Sequence, residues 1–240
     1  MKKISIIGGG IVASNFIEKI SKSKYYIYKY LPTSRFEKFN EIASKSCHDK
    51  KVIICSNIND LSDSDLIISS GNHLIIKKEF LEENNVINFH AAPLPKYGGS
   101  AGPAFSLINN EQEFGFTFQK MTPFLDEGPI IYCDYFEIKD NMNSFDIDAL
   151  AIEKGTNYLI KAIDKFFEEK DKLLPLDIDK LIIHKRDQLN KYRFIPIDNL
   201  KMKKSIQIIK ALTWPGILEP AYTLLNSNKI YLTFNNIKEK

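Results

Sequence analysis

The first ninety residues alternate short apolar runs with segments in which apolar residues recur at helical spacing. The intervening segments predict helices at Val12–Ser21 and Lys77–Glu83, and a third that begins at a Ser34-x-x-Glu37 capping box and runs toward Ser46. Because strands that alternate with helices form parallel sheets, the pattern predicts an α/β fold with a doubly wound, mostly parallel sheet. Its strands are expected at Lys3–Gly8, Tyr25–Leu31, Val52–Cys55, Leu66–Ser69 and Val86–Phe89.

The pattern changes in the second half of the chain. Two strand-like runs, Phe114–Met121 and Pro129–Ile138, flank a short Asp-Glu-Gly-Pro loop and predict an antiparallel pair added to the sheet. We therefore expect a Rossmann-like core of residues 1–170 and a short α+β C-terminal extension of residues 171–240. The other expected elements are a long helix at Ile147–Phe167, a charged transition at Lys170–Asp187, a helix at Ile206–Leu212 and a hairpin of Ala221–Leu225 with Lys229–Phe234.

Composition and charge narrow the class of protein. The 240 residues include 33 basic and 30 acidic side chains, for a formal net charge of +3, and 44% are hydrophobic. This composition excludes a disordered or fibrous chain, and the small charge argues against a nucleic-acid partner. The apolar runs are far shorter than the roughly 18 residues of a membrane span, so no membrane partner is expected. Lys2 and Lys3 before an apolar run resemble the start of a signal peptide, but Gly8–Gly10 would disrupt the helix that a signal peptide forms. We therefore expect a cytoplasmic protein.

The cysteines and two of the histidines carry no expected chemistry. Cys47, Cys55 and Cys133 are odd in number and form no C-x-x-C pair, which argues against a disulfide framework and against a structural metal site. Cys55 and Cys133 lie in apolar runs and are predicted to be buried. His48 and His184 are predicted to lie at the surface.

A glycine-rich turn follows the first predicted strand. Gly8-x-Gly10-x-x-Ala13 occupies the place of a dinucleotide-binding fingerprint, at the start of a helix. The fingerprint also expects an acidic residue about twenty positions later, and Tyr25–Arg35 contains none. Arg35 could receive a 2′-phosphate instead. Three interpretations stay open: a dinucleotide site, an anion site that binds an acceptor's phosphate, and a tight turn without a ligand.

The most informative stretch is residues 87–132. Asn88 and His90 are two residues apart at the end of a predicted strand, so both point to one side, about 7 Å apart. Asp126 lies in the later loop. These groups suit acyl transfer to an amine: an amide stabilises an oxyanion, an imidazole takes a proton and a carboxylate orients the imidazole. Residue types alone leave structural roles open, and aspartate is common in turns.

The chain contains, in this order, the motifs Asn88-x-His90, PLPKYGG, Gly115-x-Thr117, Met121 and Leu125-Asp126-x-Gly128. Together these motifs resemble the folate-dependent formyltransferase family, and the resemblance extends from Lys3 to Phe167. The resemblance implies that Asn88, His90 and Asp126 are catalytic and that 10-formyltetrahydrofolate is the formyl donor. No metal is expected at His90, Asp126 and Glu127, because no second histidine has the spacing of a metal ligand. Two residues depart from the family pattern, Gly98 where arginine is usual and Ile76 where proline is frequent. The implied folate-binding residues are Ser70, Gly71, Asn72, His73, Leu74, Ile75, Ile76 and Leu125.

The C-terminal segment bears on the formyl acceptor. Residues 171–240 are too few for the basic barrel of methionyl-tRNA formyltransferases, and glycinamide ribonucleotide formyltransferases need no such tail. Two segments of this tail are similar to the short extension of sugar N-formyltransferases, with Lys210 in place of an arginine. They are Tyr192-Arg193-Phe194 and the later run IIKALTWPGILEPAYTLLNSNKIYLTF. The resemblance implies a homodimer that formylates a nucleotide-linked amino sugar, expected to be dTDP-4-amino-4,6-dideoxyglucose, for surface-polysaccharide (O-antigen) synthesis.

Candidate contacts to that acceptor lie at both ends of the chain. The expected residues are Gly9, Gly10, Ile11, Arg193, Trp214 and Tyr222. The two aromatic rings suit stacking on a nucleotide base, and packing within the tail or on a second subunit stays open for both. The alternatives are a glycinamide ribonucleotide or methionyl-tRNA formyltransferase and, in another class, an NAD(P)-binding oxidoreductase or nucleotide-binding module built on the glycine-rich turn.

Overall fold

The computed structural model describes residues 1–34, 37–48 and 50–235. Its strands are β1 Lys3–Gly8, β2 Tyr26–Pro32, β3 Ile53–Ile54, β4 Leu66–Ser70, β5 Val86–His90, β6 Gly98–Gly99, β7 Glu113–Lys120, β8 Ile130–Glu137, β9 Ile183–His184, β10 Ala221–Leu225 and β11 Asn228–Leu232. Its helices are α1 Gly10–Ser21, α2 Glu37–His48, α3 Lys78–Glu83, α4 Gly102–Ile108, α5 Ser144–Glu169 and α6 Lys203–Leu212. Short 3-10 helices lie at Ile58–Leu61, Lys170–Lys172, Ile178–Lys180, Arg186–Tyr192 and Ile197–Asn199.

The chain forms two compact units, and the first is built on a seven-stranded sheet. The sheet has the order β3-β2-β1-β4-β5-β7-β8; β1 to β5 run parallel to one another, and β7 runs antiparallel to β5. The predicted α/β fold, a mostly parallel sheet with added antiparallel strands, is confirmed. This first unit comprises Met1–His90, Phe116–Cys133 and Ile152–Ile178.

Apolar side chains explain why the centre of this sheet forms where it does. In β1, Ile4, Ile6 and Ile7 are fully buried, as expected for a strand covered on both faces. On α1, Phe16 packs against Phe89 of β5 with ring centroids 5.2 Å apart. At the end of β1, a Cβ on Gly8 would lie 1.7 Å from the carbonyl oxygen of Ser70. Glycine is therefore required for the close approach of β1 and β4, whatever the turn binds.

The second unit has a hydrophobic core of its own. It comprises Ala91–Gly115, Asp134–Ala151 and Asp179–Lys240, so the C-terminal residues pack with segments that follow β5 and β8. Tyr97, Phe105, Phe114, Leu212 and Ala221 are among the buried residues of this core. The predicted hairpin is present as β10 and β11. The division of the chain after residue 170 stays a prediction.

Helix α4, Gly102–Ile108, was not predicted from the sequence, and two predicted segments differ from the structure. The strand expected at Val52–Cys55 is reduced to the two exposed residues of β3 at the sheet edge. The expected transition at Lys170–Asp187 contains β9, which pairs with β6 through Gly98 and Ile183. A pair of two-residue strands carries no alternation that a sequence pattern could reveal.

The prediction for one histidine was wrong. His184 lies half-buried in the second unit, where its ring stacks on Phe105 with centroids 4.4 Å apart and on Tyr97 at 5.2 Å. Burial lowers the pKa of His184, although its Nε2 lies 3.3 Å from the carbonyl oxygen of Lys96. The pairing of β9 with β6 draws this residue off the surface. His48 is exposed, as predicted.

The cysteines follow their predicted roles with one exception. Cys47 and Cys55 are buried free thiols, and burial raises the pKa of Cys47 to about 11. Cys133 is only half-buried. In the part of the chain that the structure describes, no helix is both long and apolar enough to cross a membrane.

Candidate active site

Polar side chains gather on one face of the first unit's sheet where β5 ends. Asn88 lies opposite Gln119 of β7, and His90 lies opposite Thr117. Directly opposed residues of antiparallel strands point to the same face, so all four side chains share it. Asn88 and His90 are half-buried, and Thr117 and Gln119 are buried. The strand therefore presents an amide and an imidazole side by side, as the two-residue spacing predicts.

Asp126 completes this group from the loop between β7 and β8. Its Oδ2 lies 4.0 Å from Nε2 of His90, which is close enough for an ion pair with a charged imidazole but longer than a hydrogen bond. Its Oδ1 accepts a hydrogen bond of 2.8 Å from Nε2 of Gln119. The residue is only 7% exposed and has a left-handed backbone with φ +56°, a conformation that aspartate tolerates better than most residues.

The same loop depends on a glycine two residues later. A Cβ on Gly128 would lie 1.7 Å from the carbonyl oxygen of Lys120. Any side chain at this position would push the loop away from β7 and carry the Asp126 carboxylate with it. The Leu125-Asp126-x-Gly128 spacing thus has a direct steric reason.

A cavity of about 400 Å³ lies beside these groups in the first unit. Its lining includes Asn88, Gln119 and Asp126 together with the hydrophobic segment Pro123–Leu125. Of the predicted folate residues, those that line the cavity are Asn72, Leu74, Ile75, Ile76 and Leu125. The structure therefore brings the predicted donor loop and two of the three predicted catalytic residues to one cavity, with His90 next to Asp126.

The other three predicted folate residues do not line this cavity. Ser70 is fully buried at the end of β4, and its Oγ has no hydrogen-bond partner. Gly71 has a φ of +60°, so it turns the chain out of the strand. His73 is exposed on the loop.

Asn72 fixes the conformation of the loop that follows β4. Its Oδ1 accepts hydrogen bonds from the backbone N–H of Leu74 at 2.9 Å and from the hydroxyl of Thr33 at 2.6 Å. Its Nδ2 donates to the carbonyl of Leu74 at 3.0 Å. Ile76, where the family often has proline, is buried in the core of the unit. The side chain of Asn72 and the burial of Ile76 hold the loop without proline.

The glycine-rich turn lies directly against the start of this loop. The N–H of Gly9 donates to the carbonyl of Ser70 at 3.2 Å, and Gly10 has a φ of +74°. Ile11 is half-exposed at the first turn of α1. Arg35, the candidate for a 2′-phosphate contact, lies outside the described residues.

The predicted acceptor residues of the tail lie in the second unit, where each contacts other residues. The guanidinium of Arg193 pairs with Glu219, and its centre lies 5.9 Å from the ring centroid of Tyr222. Trp214 is half-buried against the hydrophobic core of that unit. Tyr222 is also half-buried, and its ring lies 5.6 Å from that of Phe194. Roles in packing and in binding both fit these surroundings.

Two of the departures from the family pattern also lie in the second unit. A Cβ on Gly98 would lie 2.8 Å from Cδ1 of Ile183, so glycine here leaves room for β9. Lys210 donates a hydrogen bond to the carbonyl of Asp140. Neither residue belongs to the cavity beside Asp126.

The second unit has a larger cavity of about 500 Å³, but its residues do not suit acyl transfer. Its charged residues are Glu111, Lys139, Asp140, Lys201, Lys203 and Lys210. It lacks a histidine and has no oriented pair of acid and base. Among the described residues, no group of three or more histidine, cysteine, aspartate or glutamate side chains is placed to hold a metal ion.

Gln119 is a polar residue of the cavity that was not predicted from the sequence. A signal for it exists in the alternation of β7, where the buried Phe116 and Phe118 alternate with Thr117 and Gln119. The two polar residues therefore share a face by the period of a strand. Only the pairing with β5 shows that this face is the one that carries Asn88 and His90.

Comparison with known proteins gives two kinds of match. The family model described as formyl transferase matches residues 18–163. A methionyl-tRNA formyltransferase from Clostridium acetobutylicum is 33% identical over 104 residues. That alignment covers 42% of this chain and 34% of the relative, so the chain matches about a third of that relative's length.

Solved structures resemble the chain over nearly all its length. A 4-N formyltransferase from Francisella tularensis superposes with a TM-score of 0.78 at 22% identity and covers 99% of both chains. An N-formyltransferase from Helicobacter canadensis, in complex with folinic acid and dTDP-3-aminofucose, gives a TM-score of 0.75 at 20% identity. This match covers 96% of this chain and 86% of that one. At these identities the likeness concerns the fold.

Proposed function

The chain belongs to the formyl transferase family, and from this we propose that it transfers the formyl group of 10-formyltetrahydrofolate to the primary amine of a nucleotide-linked amino sugar. The observation that carries the proposal is the cluster of Asn88, His90 and Asp126 beside the cavity that the β4–α3 loop lines. An amide, an imidazole and a carboxylate at one cavity supply what acyl transfer to an amine requires.

The three side chains divide the chemistry as follows. Asn88 donates a hydrogen bond to the formyl oxygen as negative charge develops there. His90 accepts the proton that the attacking amine loses, and it returns a proton to the nitrogen that leaves. Asp126 stabilises the imidazolium in between, at 4.0 Å in the free protein. One bond forms between the acceptor nitrogen and the formyl carbon, and the bond between that carbon and the donor nitrogen breaks.

The cavity fits a folate donor. Its lining combines the aliphatic side chains of Leu74, Ile75 and Leu125 with polar groups near Asn88 and Asp126, which suits a flat heterocycle with a polar edge. Ile75 is 90% exposed, so it can cover a ligand without displacing the core. The donor supplies the activated formyl carbon when bound. The complex of the Helicobacter canadensis enzyme with folinic acid supports this assignment.

The acceptor is proposed to be dTDP-4-amino-4,6-dideoxyglucose, used in synthesis of surface polysaccharide. Structures of a 4-N formyltransferase and of an enzyme bound to dTDP-3-aminofucose, each matched over nearly the whole chain, support an amino-sugar acceptor. Gly9, Gly10 and Ile11 are proposed to bind its phosphates at the start of α1, which has no acidic residue in its first turn. Acceptor contacts of Arg193, Trp214 and Tyr222 stay predictions.

The substitutions His90→Asn and Asp126→Asn test this function. We expect each to lower the turnover number by about 100-fold or more, because proton transfer and its electrostatic support are lost. Binding of folinic acid, measured by isothermal titration calorimetry, should persist in both variants. His48→Asn and Asp179→Asn change exposed residues of the same types and serve as matched controls. Near-normal turnover in both site variants would exclude the assignment.

A panel of acceptors identifies the substrate class. The wild-type protein is assayed with dTDP- and UDP-linked amino sugars, glycinamide ribonucleotide and methionyl-tRNA. We expect formylation of a dTDP-linked amino sugar alone. Formylation of either other acceptor would replace the sugar assignment while keeping the family chemistry. Saturable binding of NAD(P)H without binding of folinic acid would favour an oxidoreductase instead.

A further inference from the structure

Gln119 occupies an unusual place beside the proposed catalytic groups. It lies opposite Asn88 in the β5–β7 pairing, lines the donor cavity and is 3% exposed. Its Nε2 donates a 2.8 Å hydrogen bond to Oδ1 of Asp126. A buried glutamine thus contacts the carboxylate on the oxygen that does not face His90.

The other end of this carboxamide is left without a partner. Oε1 of Gln119 is buried and accepts no hydrogen bond. A buried acceptor without a donor destabilises a fold, and reversing the amide would place Oε1 against an oxygen of Asp126. Only the orientation that donates to Asp126 is favourable. The side chain therefore makes one hydrogen bond and leaves its oxygen unsatisfied.

Packing alone does not call for glutamine at this position. Thr117 and Gln119 are the buried polar residues of a strand whose alternate positions are phenylalanine. Methionine has a similar volume and would fill the same space without burying an unsatisfied oxygen. The feature that glutamine adds is the N–H group directed at Asp126.

We propose that Gln119 is a positioning residue for formyl transfer, which holds the Asp126 carboxylate so that its second oxygen faces His90. The inference rests on the proposed role of Asp126. The hydrogen bond from Gln119 to Oδ1 restrains rotation of the carboxylate and favours the orientation in which Oδ2 is on the side of the imidazole. This hydrogen bond is needed to orient the carboxylate because Asp126 lies in a loop, with a left-handed backbone, and is not held by strand pairing.

Gln119 is uncharged, so its replacement by another uncharged side chain changes the direction of the Asp126 carboxylate without adding or removing a charge. The contact acts on the proposed catalytic carboxylate rather than on the aliphatic part of the cavity. A fall in the turnover number at an unchanged KM therefore reports on the contact between Gln119 and Asp126.

Gln119→Met tests the proposal with the full-length protein and folate donor. We expect the turnover number to fall about 10-fold or more and the KM for the donor to stay within about 2-fold. Gln112→Met changes an exposed glutamine on the loop before β7 and should leave both quantities unchanged.

A second variant keeps the test decisive if methionine disturbs the fold. Gln119→Glu preserves the shape of the side chain, removes the N–H donor and places a carboxyl group against Asp126. We expect its turnover number to fall at least as far as that of Gln119→Met. Unfolding midpoints measured on both variants identify any loss of structure.

The outcomes separate this inference from the proposed function. If Asp126→Asn is inactive but both Gln119 variants keep the wild-type turnover number, the positioning role is wrong and the function stands. A raised KM with an unchanged turnover number also overturns it, because Gln119 would then act in binding. If Asp126→Asn is itself active, the proposed function fails first.

Discussion

At the scale of single residues, the carboxyl group of Asp148 lies in different surroundings from that of Asp126. Asp126 faces Gln119 and His90, whereas Asp148 lies in the first turns of α5 within the second unit. Burial raises the pKa of Asp148 to about 7 from an ordinary value of 3.8. In the unfolded chain this carboxyl group loses its proton near pH 4, while in the fold it keeps the proton to near neutral pH.

The raised pKa of Asp148 makes the free energy of unfolding depend on pH. The contribution of Asp148 is present below pH 4 and is lost as the pH rises toward 7, because the folded state must then carry a buried charge. We expect Asp148→Asn to remove this loss of stability and to raise the free energy of unfolding at pH 8 by about 2 kcal/mol. This is roughly half of the free energy that corresponds to the full pKa shift, because the side chain is partly exposed and water screens its charge. Urea titrations at pH 4 and pH 8 measure it. Asp179→Asn is the exposed control, and equal pH dependence in wild type and Asp148→Asn would disprove the shift.

The candidate site could be predicted from sequence only as far as local spacing reaches. Asn88 and His90 share a face because they are two residues apart on one strand, so their proximity follows from the strand alone. The contacts of Asp126 with Gln119 and His90 depend on how β7 pairs with β5 and on the loop backbone, which no local pattern specifies. For this reason Gln119 was missed although its alternation was visible.

At the scale of elements, α5 and β5 meet at a point where a glycine is required. Gly155 lies in the interior of α5, and a Cβ on it would lie 2.1 Å from Cε2 of Phe89. Phe89 cannot yield easily, because its ring also contacts Phe16 and Phe118. The helix thus accepts a poor helix former so that it can approach the strand that carries Asn88 and His90.

Gly155→Ala is therefore expected to destabilise the protein. Alanine improves helix propensity by about 1 kcal/mol, but the overpacking against Phe89 outweighs this gain, and we expect a net loss of about 2 kcal/mol. Turnover should fall as well, since Phe89 lies between Asn88 and His90. Denaturant unfolding and a formyl-transfer assay measure the two effects. Asn157→Ala, on the exposed side of α5, should leave stability unchanged or slightly higher. A stabilised Gly155→Ala variant would contradict the packing argument.

Elements with long, periodic segments were predicted well, and short ones were not. The parallel strands and α5 follow from apolar runs and helical spacing, and their observed ends differ from the predicted ones by a few residues. The pair of β6 and β9 joins Gly98 to Ile183, far apart in the chain and only two residues long. Its existence depends on tertiary packing, which also explains the burial of His184.

At the scale of the whole molecule, the β10–β11 hairpin bears on the homodimer that the sequence resemblance implies. Ala221 and Thr223 face inward and are buried, while Leu224 and Tyr231, on the opposite face, are 44% and 59% exposed. A two-stranded hairpin is marginal by itself, and exposed apolar residues on its outer side favour association. The proposed second copy would cover these residues.

We expect the wild-type protein to have about twice its chain mass of 27.6 kDa in solution, measured by light scattering. The double substitution of Leu224→Glu with Tyr231→Glu should give a monomer with unchanged far-UV circular dichroism, because charges would be buried in the interface. Lys170→Glu, at an exposed lysine outside the hairpin, serves as the control. A monomeric wild-type protein would refute the dimer, and a dimeric double variant would exclude this hairpin as its interface.

The single tryptophan of the chain, Trp214, packs in the second unit, whereas the proposed donor cavity belongs to the first. The protein therefore contains its single indole fluorophore in one unit and the proposed binding place of a light-absorbing pteridine ring in the other. Resonance energy transfer from the indole to a bound folate analogue would measure the spacing of the two units in solution. Because Trp214 is the single tryptophan, this distance can be measured without an added label.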